Sequence, residues 1–485
     1  MVFSSIPFVF YFLPIFLVCY FAFGRSNWII LFGSAVFYVW GEGINIVLIV
    51  SLLAFNYWMG RLIGSDRERL AKVGVWVGVG VNLAVLGHYK YAQFLVANLT
   101  RLGVHSAAAY PLDPNHHLPL GISFFVFQMI SYLVDVRAGK VQAERYPSRL
   151  ATYMMMFPHL IAGPIVRYAN IAGEIAARRV DVASVGLGVQ YFIVGLCQKV
   201  MIANTVARFA DHAFSVPVNQ LDGLTAWLGA VTYTIQIYFD FCGYSNVAIG
   251  LALMMGFHFP RNFNYPYIAR SVTEFWRRWH ISLSTWFRDY VYIAIGGNRA
   301  GRFATVRNLL IVFFLTGLWH GAAWTFVLWG LYHGAFLLME RLGLGQVLDR
   351  MPRWIRNAYV LILVMFGWVL FRAGDRHQTF SYWKAMVFLS TPVKSPETPV
   401  PITLWLTPEV IAALIVGSVL ACPVMAWGLD RLGYARLGRQ AAIADPAMDI
   451  HYVHALPVGV LLAGLVVASA LLAGDTLNPF LYFRF

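Results

Sequence analysis

The stretch "LTGLWHGAAWTFVLWGLYHG", residues 315–334, is apolar or aromatic apart from two threonines and two histidines, His320 and His333. From residue 308 to residue 339 the chain contains no Asp, Glu, Lys or Arg. A run of this length without charge is typical of helices that cross a lipid bilayer. An ionisable side chain inside such a run needs a partner and marks a candidate functional site. The stretch therefore indicates a membrane protein and supplies its first two candidate functional residues.

The rest of the chain extends this pattern. Hydrophobic residues occupy 59% of the 485 positions and charged residues 12%, with a mean hydropathy of +0.65. That is more apolar surface than a soluble core can bury. Uncharged runs lie at 6–23, 44–59, 73–86, 184–197, 224–237, 309–339, 358–371, 410–427 and 457–474, with weaker candidates at 28–40, 118–134 and 150–165. We expect an all-α integral membrane protein with about ten to thirteen membrane helices, because the alternating ten-residue segments of a membrane β-barrel are absent.

The chain shows no soluble domain and no obvious internal repeat, so we predict a single integral membrane domain over residues 1–485. The first apolar run follows no basic region and precedes no small-x-small cleavage motif, so we expect a retained helix. Four cysteines lie in or beside apolar segments without CxxC spacing: Cys19, Cys197, Cys242 and Cys422. This pattern favours small core residues over disulfides or metal ligands, and we predict no metal site.

The net charge of +14 is spread over short loops. This dispersion argues against a nucleic-acid partner, which would favour a basic domain. The positive-inside rule explains the charge more simply and predicts cytoplasmic loops at 60–72, 137–149 and 176–181. Residues 110–119 contain one acid and no Lys or Arg, and we expect them outside.

One segment, residues 258–302, departs from the spanning pattern. It carries Arg261, Arg270, Arg277, Arg278, Arg288, Arg299 and Arg302 against Glu274 and Asp289, interleaved with Phe, Tyr and Trp. The mixture is typical of an interfacial or re-entrant segment, and an anchor on anionic lipid is one interpretation. The other is an anion site, because Arg277, His280, Ser284 and Arg288 would share a face if the segment were one helix.

The two histidines of the opening stretch need separate explanations. They are thirteen residues apart, which is about 220° around one helix, so they would not share a face. A histidine satisfied by a neighbouring hydroxyl or carbonyl and used only for helix packing is one possibility for each. A neutral imidazole that accepts a proton is the other. His320 is followed by Gly321 and two alanines, which allow close approach of a ligand, so we favour His320 as the chemical residue.

A further polar cluster interrupts the apolar segment 233–246. Asp240 lies there with Gln236 and Tyr238, and it is the only acid between Asp222 and Glu274. It is expected to pair with an Arg, to orient a His, or to serve as a structural cap or ion pair. These alternatives stay open at the level of sequence.

These segments together resemble the membrane-bound O-acyltransferases, and in particular the bacterial branch that acetylates alginate. The resemblance covers essentially the whole chain and rests on several quoted motifs. They are "MVFSSIPFVFYFLPIF", "LPLGISFFVFQMISYLVDVRAG", "FPHLIAGPIVRY", "QIYFDFCGYSNVAIG", "RNFNYPYIARSVTEFWRRWHISLSTWFRDYVYIAIGGNR", "GLWHGAAWTFVLWGLYHG" and "NPFLYFRF". The resemblance implies a multi-helix membrane domain that encloses a tunnel, in the inner membrane of a bacterium.

The resemblance also assigns roles. His320 of "LWHG" matches the family's catalytic histidine, and His280 of "FWRRWH" matches its second signature position. A base that takes a hydroxyl proton suits acetyl transfer from a thioester. Coenzyme A brings phosphates, so we expect substrate and coenzyme A binding by Arg277, Arg278, Arg288, Asp240 and Ser284. Supporting positions are expected at His333, Tyr238 and Gln236.

By this resemblance the chain moves acetyl from cytoplasmic acetyl-CoA, with no bound cofactor, across the membrane. An extracytoplasmic partner of the SGNH-hydrolase type would then esterify an exopolysaccharide. Two alternatives stay open: transfer of D-alanyl or another acyl group to a cell-wall polymer, and a proton-coupled transporter that uses His320 and Asp240. The transporter is disfavoured because we see no internal repeat.

Overall fold

The computed structural model describes residues 2–104, 118–299, 301–388, 404–424, 428 and 456–474. Within these ranges every regular element is helical and there is no strand, which confirms the all-α prediction. Most of the predicted external loop at 110–119 and the C-terminal motif "NPFLYFRF" lie outside the described residues. The helices group into two compact units, Met1–Val189 with Ala248–Pro260, and Gln190–Val247 with Arg261–Phe485. The single domain over 1–485 stays a prediction.

The first unit contains the N-terminal helices. They are α1 (Leu13–Ala22), α2 (Asn27–Glu42), α3 (Ile46–Ile63), α4 (Glu68–Leu86), α5 (Ala92–Arg101), α6 (Ile122–Arg137), α7 (Pro147–Met155), α8 (Phe157–Leu160) and α9 (Tyr168–Ala176). π-helical turns at Pro7–Phe12 and Gly87–Tyr91 precede α1 and α5, and a 3₁₀ turn, Gly43–Asn45, separates α2 from α3. Phenylalanine rings pack the core, with Phe157 lying 5.1 Å from Phe16 and 5.5 Å from Phe37 between ring centroids.

Two helices contribute to both units: α10 (Val182–Cys197) and the longer α12 (Gly223–Met254). The second unit further contains α11 (Thr205–Ser215), α13 (Val272–Arg278), α14 (Ile281–Phe287), α15 (Gly301–His320), α16 (Trp324–Met339), α17 (Gly345–Asp349), α18 (Arg353–Arg372), α19 (Arg376–Phe388), α20 (Pro408–Leu420) and α21 (Val458–Gly474). π-helical turns lie at Gln198–Asn204, Arg288–Tyr292 and Glu340–Leu344, and 3₁₀ turns at Val218–Gln220 and Pro266–Ile268.

Among the described residues, six helical stretches are long and apolar enough to cross a membrane. They are Asn27–Ile63, Glu68–Arg101, Val182–Ser215, Gly223–Met254, Gly301–His320 and Arg353–Arg372. Three shorter apolar helices are Pro7–Ala22, Pro408–Leu420 and Val458–Gly474. The chain is therefore a multi-pass membrane protein. The count of ten to thirteen spans stays a prediction, because helices such as α6 and α16 have 16 residues each and fall short of the usual spanning length.

Candidate active site

The opening stretch of sequence folds as a helical hairpin. Helix α15 ends at His320, and α16 begins at Trp324. The prediction that one helix separates the two histidines by about 220° is therefore wrong, because residues 321–323 break it. A Cβ atom on Gly330 would lie 2.1 Å from the Phe313 carbonyl oxygen, and one on Gly317 would lie 2.3 Å from that of Phe326. The two backbones thus touch, and only glycine fits at this crossing.

The hairpin brings both histidines to one indole ring. The Trp329 ring lies 4.9 Å from the His320 ring and 5.1 Å from the His333 ring, edge to face in both cases. The Phe371 ring is 5.3 Å from that of His320, whose side chain is 5% exposed. Aromatic rings at these distances are in contact. His320 thus sits at a helix end inside an aromatic pocket.

His333 is fully buried among rings. The Trp276 ring lies 5.1 Å away and the Phe275 ring 6.4 Å away. Within the described part of the chain neither ring nitrogen of His333 has a hydrogen-bond partner. The packing interpretation by a hydroxyl or carbonyl partner therefore does not describe this residue, whose surroundings are aromatic.

His280 lies between two short helices rather than on one. Helix α13 ends at Arg278 and α14 starts at Ile281, and His280 itself has the left-handed backbone angles φ 43° and ψ 56°. The single helix that would give Arg277, His280, Ser284 and Arg288 a common face does not form, because the chain turns at His280. The two helices have seven residues each, and the interfacial or re-entrant placement of 258–302 stays a prediction.

The ring of His280 is buried against aromatic neighbours. The Phe241 ring lies 4.6 Å away and the Trp319 ring 6.1 Å away. Trp319 directly precedes His320 and packs 5.0 Å from its ring. The Trp319 ring therefore packs against the rings of both His280 and His320, and these three residues belong to one cluster in the second unit.

A cavity of about 530 Å³ lies beside this cluster. Its lining includes the predicted Arg277, Ser284 and Arg288, together with Thr273, Trp276, Ile281, Leu283, Thr285, Phe287, Tyr292, Leu309, Val312, Phe313, Thr316 and Arg341. Ile281 follows His280 in the chain, and Thr316 lies one helical turn before His320 on α15. The cavity thus brings three arginines together with a residue next to His280 and a residue one turn from His320. Among the arginines, Arg341 is one that sequence reasoning missed.

The arginines differ in how they are held. Arg277 and Arg341 are exposed, and Arg288 forms a two-point ion pair with Asp289, which raises its pKa through the hydrogen bond. Arg278 does not line the cavity. Its Nε and Nη2 atoms lie 3.0 Å and 2.9 Å from Glu274 Oε1, and its Nη1 atom donates to the Asn264 carbonyl.

The carboxylate of Glu274 anchors this part of the site. Burial raises its pKa, but hydrogen bonds from the Arg270 backbone and from Arg278 outweigh it and hold the pKa below its usual value. The guanidinium of Arg278 is thus held by Glu274 and the Asn264 carbonyl, which makes it a poorer candidate for binding phosphate than the arginines that line the cavity.

Asp240 takes part in a buried ion pair with Lys199. Its carboxylate Oδ1 contacts Lys199 Nζ in a buried ion pair, with 2% and 4% of the two side chains exposed. Of the alternatives left open, an ion pair is present, and its partner Lys199 was not foreseen. An enclosed pair of this kind is a poor candidate for binding coenzyme A.

The other predicted supporting residues lie on the same helix, α12. The Tyr238 ring packs 6.2 Å from that of Trp279, next to His280, and Gln236 is buried with 2% exposed. Tyr238 thus belongs to the aromatic shell around the site.

Comparison with known proteins gives consistent matches. The model of the membrane-bound O-acyltransferase family matches residues 81–372, which include His280 and His320. The chain is 40% identical to the probable alginate O-acetylase AlgI of Pseudomonas putida over 502 aligned residues that cover all of both chains. It is 41% identical to the protein of the same name from Azotobacter vinelandii, again over all of both chains. It is 32% identical to the peptidoglycan O-acetyltransferase of Helicobacter pylori, over 80% of each chain.

Proposed function

Because this chain belongs to the membrane-bound O-acyltransferase family, we propose that it carries acetyl groups from cytoplasmic acetyl-CoA across the inner membrane for O-acetylation of an exopolysaccharide. It is an O-acyltransferase with multiple membrane helices. Relatives named for alginate and peptidoglycan acetylation support a glycan as the final acceptor. An alginate-like polymer is favoured because the alginate relatives align over the full chain.

One observation carries the proposal. The cavity combines exposed guanidinium groups with an apolar wall, and its lining includes Ile281, which follows His280 in the chain, and Thr316, one helical turn before His320. The phosphates of coenzyme A need cations, and Arg can bind them in a bidentate manner. The apolar part of the lining suits a pantetheine arm that leads a thioester inward. Arg277, Arg288 and Arg341 are our candidates for the phosphates, and Ser284 for a polar contact.

The reaction needs a base, and it neither consumes nor releases a proton overall. A hydroxyl oxygen of the acceptor attacks the thioester carbonyl carbon, a C–O bond forms and the C–S bond breaks. His320 takes the hydroxyl proton and returns it to the leaving thiolate. General base catalysis of this kind contributes typically about 10²–10⁴-fold. His280 positions one of the two substrates.

The immediate acceptor is an extracytoplasmic protein of the SGNH-hydrolase type in this proposal. Such a partner carries a serine hydroxyl, which is chemically the nucleophile that the His320 base requires. The glycan then receives the acetyl group from the partner, so the membrane protein acts on the polysaccharide indirectly.

The test is a comparison of histidine variants in cells that lack the native gene. His320→Ala should abolish acetyl esters on the secreted polysaccharide at normal membrane abundance, and His280→Ala should reduce them strongly. His377→Ala is the matched control, because His377 is an exposed residue of α19. Full acetylation in cells with His320→Ala would refute the catalytic assignment.

A second test addresses the donor. Membrane vesicles with the cytoplasmic face outward are given radiolabelled acetyl-CoA, and label transfer is followed. Arg277→Ala should raise the acetyl-CoA concentration needed for half-maximal transfer about 5- to 50-fold, consistent with loss of a charge-assisted contact. The exposed Arg299, which does not line the cavity, provides the control variant Arg299→Ala.

A further inference from the structure

The backbone at His280 has an unusual conformation and is hydrogen-bonded to residues 262–264. Asn262 and Asn264 face residues 278–281, where the Ile281 amide donates to the Asn262 carbonyl and the Asn264 amide to the Arg278 carbonyl, each over 2.9 Å. A residue with a side chain at φ 43° costs free energy and persists only where its surroundings fix it. The pairing therefore fixes His280 relative to Asn262.

The neighbours of the Asn262 side chain distinguish its amide oxygen from its amide nitrogen. Its Oδ1 lies 3.3 Å from the Ser282 backbone nitrogen, 2.9 Å from Ser282 Oγ and 3.1 Å from His280 Nδ1. A backbone N–H can only donate, so the atom that faces it is the amide oxygen. The amide nitrogen points the other way and donates to Ser245 Oγ over 3.1 Å. Both ends of the buried amide are thus assigned by independent partners.

An amide oxygen only accepts, so the facing His280 Nδ1 must carry a hydrogen. The Ser282 hydroxyl agrees with this assignment, because its hydrogen goes to Asn262 and its lone pair lies 3.4 Å from Nδ1. In a neutral imidazole the other nitrogen, Nε2, then has no hydrogen. That Nε2 atom is buried and has no hydrogen-bond partner within the described part of the chain.

We infer that Asn262 is a positioning residue that fixes His280 in the Nδ1–H tautomer and reserves Nε2 as an acceptor for a substrate O–H or N–H group. This inference deepens the proposed function and rests on it for the identity of the substrates. It excludes one role: His280 in this tautomer does not donate to the oxyanion of the tetrahedral intermediate. If His320 takes the one hydroxyl proton of the acceptor, the donor to His280 is an amide N–H of the pantetheine arm.

The direct test is spectroscopic and needs no substrate. Protein labelled with ¹⁵N-histidine is reconstituted in lipid, and the His280 signals are assigned by their loss in His280→Gln. The inference expects a hydrogen-bearing Nδ1 and a bare Nε2. A hydrogen on Nε2 of the wild-type ring would overturn it, even if the enzyme acetylates as proposed.

The functional test uses two replacements of Asn262. Asn262→Asp keeps an oxygen facing Nδ1, and the Ser245 hydroxyl can turn to donate to the other oxygen, so transfer should stay within about tenfold of wild type. Asn262→Leu removes the acceptor, should mix the tautomers in the spectrum and should lower transfer about 10- to 100-fold, as loss of a group that orients a histidine does elsewhere.

Ser245→Ala is the matched control, because it removes the partner of the Asn262 nitrogen and leaves the oxygen facing His280. It should keep the tautomer and most of the activity. A folded Asn262→Leu protein with an unchanged spectrum and unchanged transfer would overturn the inference. A confirmed tautomer in a chain that transfers no acetyl would instead refute the proposed function alone.

Discussion

Two sets of buried polar side chains in different units of this protein differ in how their hydrogen-bonding groups are satisfied. In the first unit, Asn56 on α3 and Asn82 on α4 are fully buried and exchange hydrogen bonds, with amide nitrogen to oxygen distances of 3.2 Å and 2.7 Å. Each also donates to the carbonyl four residues earlier in its own helix. In the second unit, the Nε2 atom of His280 has no partner among the described residues. The amides form a closed pair, whereas the histidine keeps one atom for another molecule.

The difference teaches how to separate structural from functional polarity inside a membrane protein. A closed pair satisfies its own hydrogen-bonding capacity and stabilises helix association, with modest net energy. An orphaned buried atom costs free energy unless a ligand restores the bond. Changes to the Asn56–Asn82 pair should therefore alter stability alone, and changes to His280 should alter transfer.

The largest expected effect concerns the glycines at the helix crossings of the two regions. Gly330→Ala in the second unit would drive a Cβ into the Phe313 carbonyl, and the backbone cannot move aside. We expect a loss of about 3 kcal/mol in the free energy of unfolding. Gly78→Ala on α4 is the matched variant, because its Cβ would meet only the end of the flexible Leu133 side chain, and it should cost less than about 1 kcal/mol.

Thermal unfolding in detergent, together with membrane abundance, measures both variants. Equal destabilisation by the two alanines would contradict the idea that the α15 and α16 backbones are in contact at this crossing.

The glycine crossing also shows where sequence reasoning stopped. Hydropathy predicted the lipid environment and the all-α class, because long apolar segments are enough to indicate both. It treated residues 309–339 as one uninterrupted segment. It did not predict the break at residues 321–323, since no proline or charge marks the end of α15. In the sequence, the small residues after His320 indicated only space for a ligand. They also allow the turn that places His320 and His333 on different helices.

The site was predictable by residue type and not by arrangement. Arg277, Ser284 and Arg288 were predicted to act together and do line one cavity, although through a turn at His280 and not along one helix. A left-handed conformation at a histidine has no local signal in the sequence. The partners Asn262 and Lys199 lie 18 and 41 positions from His280 and Asp240, so only the folded chain reveals them.

The two histidines of the hairpin, His320 and His333, should differ in how strongly their loss affects transfer. His333→Ala should open a cavity among Phe275, Trp276 and Trp329 and destabilise the protein by about 2 kcal/mol. Transfer per folded molecule should fall less than about tenfold, because general acid–base catalysis by His320 is retained. The measurement is acetyl transfer normalised to folded protein. A loss as complete as that caused by His320→Ala would give His333 a role in the chemistry.

The closed amide pair gives a smaller effect. Asn82→Leu leaves the Asn56 amide without its partner and should cost about 1–2 kcal/mol of stability. The double variant Asn56→Leu with Asn82→Leu removes both polar groups and should recover part of that loss. Unfolding midpoints of the two single variants and the double variant measure the coupling. Acetylation by the folded proteins should not change, and a specific loss of transfer would remove the contrast between the two regions.

The smallest expected effect concerns a carboxylate, Glu340, that stabilises a helix and should also influence the cavity. Glu340 is buried and accepts hydrogen bonds from the Val272 and Thr273 backbone amides at the start of α13, over 2.6 Å and 3.1 Å, and from the Thr273 hydroxyl over 2.9 Å. A negative charge at a helix N-terminus is favourable by about 0.3–1 kcal/mol. Glu340→Gln should therefore cost under about 1 kcal/mol.

The same substitution should also weaken acetyl-CoA binding in the cavity, because α13 carries Arg277 in its last turn. We expect the acetyl-CoA requirement to rise about two- to fivefold, which corresponds to less than about 1 kcal/mol. Glu409→Gln is the control, since Glu409 is an exposed acid in the first turn of α20. Titration of vesicle transfer with acetyl-CoA separates the outcomes. A stability loss with no change in that requirement would assign Glu340 to the closed, structural class together with Asn56 and Asn82.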